Sequence, residues 1–172
     1  MTLTNKTNKE LLAMLIEENT ENIYESKALK ELAKRIIAPS YGEKVALERP
    51  EAVAAWLQLE IGDSDQEHFM AIYLDKQNRL LDHKVLFTGT MDRSIVHPRD
   101  IFREAVKLNA SRIILAHNHP SGSAEPSGAD ITTTQTLISA GEMMGINILD
   151  HLVIVRGGGY ASIRERYNHL WN

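Results

Sequence analysis

At 172 residues the chain suits one domain, and 43% hydrophobic against 24% charged residues gives it the apolar mass for a core instead of the signature of disorder. With no cysteine, disulfides, a thiol nucleophile, cysteine-ligated zinc and iron–sulfur clusters are excluded, so any metal must be held by His, Asp or Glu. A net charge of −4 with scattered Lys and Arg lacks the basic footprint of a nucleic-acid binder, and no apolar run reaches the roughly 18 residues that would span a membrane.

The apolar run "LLAMLI", Leu11 to Ile16, is ended at once by Glu17 and Glu18 and is too short for a signal-peptide core, so a cytoplasmic protein is expected. Residues 8 to 38 read as helical: Leu11, Leu12, Leu15 and Ile16 recur at helical spacing, as do Leu29, Leu32 and Ile36, until "APSYGEK" breaks the pattern. Residues 1–45 are therefore a small helical appendage, whose apolar faces could pair between chains into a homo-oligomer, and 46–172 the main domain.

Pro50 suits a helix start, with apolar residues at 53, 56, 57 and 61 before Gly62. "HFMAIYLD", "RLLDHKVLFTG" and "SIVH" read as strands, and Pro98 opens a helix with Ile101, Phe102, Ala105 and Leu108 on its inner face. "RIILAH" is a continuous apolar run suited to a central buried strand. Beyond it, Ile131, Leu137, Ile138 and Met144 mark a helix stopped by Gly145; "INILDHLVIV" is another buried strand and "GGGYASI" a turn into a last short one. Strands and helices interleave, so the class is α/β with a mixed sheet.

The stretch "AHNHPSGSAEPSGAD", 116 to 130, concentrates the chemistry. Residues two apart on an extended segment share a face, so His117 and His119 offer two ring nitrogens to one point past the strand end. Pro120 stops the strand, Gly122 and Pro126 let the chain swing back, and Ser127 and Asp130 return to the same place. Asp130, at a helix start where the dipole favours its ionised form, completes a zinc site of two His and one carboxylate with a fourth position open to water, the pattern of a catalytic site. Ser127-x-x-Asp130 before an apolar-periodic helix also has the form of a capping box, the stronger reading were it taken alone. The compound pattern H-x-H-P-x6-S-x2-D favours the metal.

That string resembles the JAMM (MPN+, JAB) metalloprotease signature, and "VHPRDIFREAVKLNASRIILAHNHPSGSAEPSGAD" with "GINILDHLVIV" and "LFTGT" resembles its RadC-type branch, over roughly residues 50 to 165. The resemblance implies a JAB/MPN-like (cytidine-deaminase-like) mixed sheet sandwiched by helices. It also implies zinc on His117, His119 and Asp130, with Ser127 supporting a tetrahedral oxyanion. An upstream glutamate near the start of the first strand acts there as general acid/base through the zinc-bound water; Glu67 is the best match, and Glu104 is a rival expected to face solvent. Asn118 stands where Ser or Thr is usual outside the RadC branch; it points away from its histidine neighbours, with little effect on the metal expected. His97 and His151 read as buried histidines satisfied by hydrogen bonds, with His151 also a candidate supporter of the metal ligands.

The leading expectation is a zinc-dependent hydrolase, a metallopeptidase or isopeptidase cleaving an amide bond in a protein or peptide substrate. The alternatives are a DNA-repair-associated protein acting on or near nucleic acid, and an inactive MPN interaction module. Longer RadC-type chains are expected to carry a glycine-rich helix-hairpin-helix unit, whereas residues 1–45 hold only Gly42; the chain resembles the short form, to which the DNA-repair role transfers poorly.

Overall fold

A computed structural model describes residues 6–17, 28, 32, 50–89 and 96–172. The chain divides into two compact units, Met1–Glu43 and Lys44–Asn172. In the first, α1 (Asn8–Glu17) starts with a reciprocal cap: the Thr7 backbone N–H and hydroxyl both donate to Glu10 Oε2 at 2.7 Å, and Glu10 N–H donates back to Thr7 Oγ1. Leu11 is buried against Ala28 and Leu32, while Leu29 and Ile36 of the expected helical face lie outside the described residues.

The second unit is built on a five-stranded sheet in the order β2-β1-β3-β4-β5. Its strands are β1 (His68–Leu74), β2 (Leu80–Thr88), β3 (Arg112–His119), β4 (Asn147–Val155) and β5 (Tyr160–Ser162). Only the β3–β4 pair is parallel. The sheet is thus mixed, as periodicity anticipated, and β3 lies at its centre. Of "SIVH", Ser94 and Ile95 lie outside the described residues, whereas Val96 and His97 are not in a strand.

Alternation along the strands feeds both faces. Phe69, Ala71, Tyr73, Ile113 and Leu115 pack with Ile101, Phe102 and Ala105 of α3 (Pro98–Lys107) and with Leu137 and Ile138 of α4 (Gly128–Met144). The even-numbered residues Met70, Ile72, Ile114 and Ala116 are buried on the other face. Helix α2 (Pro50–Leu57) runs into a π-helical turn, Gln58–Gly62, that contacts β3 and β4; Val53, Trp56, Leu57 and Ile61 are buried, as their spacing requires. Met144, read as part of the inner face of α4, is instead exposed, because it sits in the last turn beside Gly145, whose φ of +68° ends the helix in the left-handed region. Short α5 (Ile163–Arg166) and a 3-10 turn, Asn168–Trp171, close the chain. No helix among the described residues is long and apolar enough to cross a membrane.

Candidate metal centre

Strand β3 delivers His117 and His119 to the same side of the sheet at its carboxyl end, and their Nε2 atoms stand 2.9 Å apart. His117 is fully buried and stacks over Phe69; His119 is partly exposed. After Pro120 the chain turns through Gly122, at φ +84°, with the Gly122 N–H donating to His119 O. A few residues on, Ser123 O accepts from His119 Nδ1 at 2.8 Å. A carbonyl only accepts, so Nδ1 carries the proton and the Nε2 of a neutral His119 is a bare lone pair.

The tautomer of His117 follows from a longer chain of bonds. Asp130 O accepts from Thr134 Oγ1 at 2.6 Å, so Thr134 Oγ1 accepts in turn from His151 Nδ1, also at 2.6 Å. Burial holds His151 well below the usual imidazole pKa and therefore neutral, leaving its Nε2 to accept from His117 Nδ1 at 2.8 Å. His117 Nε2 is thereby also bare. Two lone pairs facing each other at 2.9 Å repel unless a cation or proton lies between them.

Asp130 supplies the countercharge from the first turn of α4. Its Oδ2 accepts from Ser127 N at 2.6 Å and Ser127 Oγ at 2.7 Å, while Ser127 Oγ accepts from Asp130 N at 3.1 Å. The capping box is therefore real, and it coexists with the metal geometry because it occupies only one carboxylate oxygen. The other, Oδ1, is buried without a hydrogen-bond partner, although His117 Nε2 is 3.2 Å away. Burial pushes the Asp130 pKa up, but in the metal-free protein His117 and His119, when protonated at Nε2, together with Ser127 more than reverse this and hold the carboxyl well below its usual range. An orphaned, ionised oxygen beside two bare imidazole nitrogens offers the donors that a divalent transition metal such as zinc would take. His117, His119 and Asp130 thus come together as expected.

Glu67 comes to the same place from the other side of β3. The antiparallel β1–β3 register pairs Phe69 with His117, and continuing it by two residues sets Glu67 opposite His119. Glu67, His117 and His119 offer ligand atoms within 4.8 Å of one another. The segment before β1 is fastened by Asn118, whose side chain is buried on the face away from the histidines. Its Oδ1 accepts from His68 N at 2.7 Å, and its Nδ2 donates to Gln66 O at 3.0 Å and Ser64 O at 3.4 Å.

Two expectations need correction. Glu104 is not freely solvent-facing: its side chain is 17% exposed, and its carboxylate is held by Lys107, Arg103 and Lys84 at 3.0, 3.6 and 3.7 Å. Lys107 foremost lowers its pKa. His97 is exposed at the N-cap of α3 and its side chain makes no capping bond; its backbone C=O accepts from Asp100 N at 3.0 Å to start the helix. Thr134 escaped sequence reasoning, though its place four residues after Asp130, on the same helical face, was a signal for it.

The architecture, the H-x-H strand end and the capped helix carrying Asp130 agree with a family match that spans residues 47–168, to the RadC-like JAB domain. The chain belongs to this family. The match covers every residue of the RadC-like JAB site described above, from Glu67 to His151.

Proposed function

We propose that this RadC-like JAB domain is a zinc-dependent hydrolase that cleaves an amide bond, peptide or isopeptide, with His117, His119 and Asp130 holding the metal. The observation that carries the reading is the pair of bare Nε2 atoms 2.9 Å apart beside the unpartnered Oδ1 of Asp130. Zinc held there by His117, His119 and Asp130 would supply a Lewis acid for a carbonyl and lower the pKa of a bound water toward neutrality. Glu67, opposite His119, accepts the proton of the attacking water and returns it to the leaving amine. Ser127 first orients Asp130. Its hydroxyl then turns from Asp130 Oδ2 to support the oxyanion, while its backbone N–H keeps the carboxylate in place.

Elemental analysis of the purified protein should find about one zinc per chain, with His119→Ala abolishing it, because two remaining ligands do not make a site. A fluorogenic panel of peptide and isopeptide bonds, run with and without chelator, supplies the second arm. Full zinc occupancy in His119→Ala, or chelator-sensitive cleavage of phosphodiesters but not amides, overturns the reading.

A further inference from the structure

We propose that Asn118, lodged between the two histidines, is the positioning residue for Glu67. The inference rests on reading Glu67 as the proton acceptor, and deepens it by assigning what holds that carboxylate in register. Residues 63–67 form no helix or strand, so side-chain bonds and the sheet edge determine their course. Asn118 makes three such bonds, to Ser64 O, Gln66 O and His68 N, bracketing Glu67 on both sides. The Glu67 carbonyl itself accepts from Gly89 N at 2.8 Å, which ties the same peptide to the end of β2.

The orientation of the amide is fixed by its partners. A backbone N–H can only donate and two carbonyls can only accept, so the oxygen must face His68 and the nitrogen Gln66 and Ser64. A single planar side chain with one acceptor and two donors meets all three, whereas a hydroxyl has only one proton to give. Asn118 is also 1% exposed, so no water replaces a bond it loses. Alternation then links the two faces of β3: His117 and His119 point to the metal, and the residue between them holds the strand that brings the base to it. One tripeptide sets both the ligands and their distance from Glu67.

The test uses the full chain loaded with cobalt(II), whose visible spectrum reports the surroundings of the metal without a substrate. Four proteins are compared: wild type, Asn118→Ala, Glu67→Gln and the double variant, each titrated with pH. All should bind one cobalt, because the ligands are untouched. Asn118→Ala should move the pH midpoint of the spectrum by at least half as much as Glu67→Gln, in the same direction, and should change nothing further in the Glu67→Gln background. A residue that merely fills the core would add its effect in both backgrounds. Asn118→Ser, which keeps one hydrogen-bonding atom, should fall between wild type and Asn118→Ala, and it decides the matter if the alanine variant does not fold. An unmoved midpoint in a folded Asn118 variant, with Glu67→Gln shifted, overturns the role of Asn118 alone. An unmoved midpoint in Glu67→Gln overturns the reading of Glu67 and the inference with it. Loss of cobalt from both Asn118 variants also overturns it, since Asn118 would then support the ligands or the fold and not the base.

Discussion

His117 Nδ1 stands 2.8 Å from His151 Nε2, and this contact decides which nitrogen of His117 faces His119 and Asp130. His151 is itself aligned by Thr134, so a hydroxyl on α4 sets the tautomer of His117, the proposed ligand on β3. Outer partners of this kind orient ligands and sharpen their basicity.

Thr134→Val, nearly isosteric, should therefore weaken zinc binding about 10- to 100-fold while the fold survives. His151→Ala should lose more, because it also opens a cavity against Phe69, which packs edge-on to its ring at 5.4 Å. Competition with a chromogenic chelator measures both. Wild-type affinity in Thr134→Val would show that the relay does not act on the ligand.

The dependence on pH follows from His119 and Asp130. In the metal-free protein the bond to Asp130 raises the His119 pKa above its ordinary 6.5, against the opposing effect of burial. A raised pKa gives stability that is fully present below 6.5 and is lost as pH climbs through the folded value. Asp130, depressed from 3.8, contributes above 3.8 and loses its contribution only as pH falls through its much lower folded value. The metal-free pair is thus most stabilising between 3.8 and 6.5. Zinc competes with the His119 proton, so its binding strengthens with pH. The gain in Tm on adding zinc to chelator-treated protein should widen from pH 5 to pH 8; a gap that narrows contradicts this protonation scheme.

Much of this was legible in the sequence because the decisive elements are local. "RIILAH" is a central strand since both its faces are covered, and Ser127 and Asp130 meet within one helical turn, so short-range pattern was enough. What escaped depends on contacts distant in the chain. His151 reaches His117 from 34 residues away, and Asn118 reaches His68 across 50, through a β1–β3 register that periodicity does not specify. Glu104 was misplaced for a similar reason. Its cation from β2, Lys84, is 20 residues upstream, and helical spacing alone gives no sign that the side chain is partly covered.

Glu104→Gln separates the two candidate acids. Because Lys107, Arg103 and Lys84 surround its carboxylate, the substitution should leave zinc content and turnover unchanged, at the cost only of weak surface ion pairs. Metal analysis and the fluorogenic assay read both. A loss of turnover in Glu104→Gln with zinc retained would move the proton-transfer role away from Glu67.

Glu67→Gln should show the opposite pattern. The amide keeps the size and most of the hydrogen bonding of the carboxylate but accepts no proton, so zinc should remain at the wild-type ratio while turnover falls about 10²- to 10⁴-fold. Asp130→Asn must differ, because Oδ1 is the orphaned oxygen aimed at His117 Nε2 and a neutral amide is a poor zinc ligand. It also gives up the charge in the first turn of α4 and one half of the capping box, so zinc occupancy should fall together with Tm. The two carboxylates approach the same imidazoles, and these variants tell them apart: one changes the rate and leaves the metal, the other removes the metal. Zinc loss in Glu67→Gln with zinc retained in Asp130→Asn would reverse their roles, making Glu67 the ligand and Asp130 the residue that moves the proton.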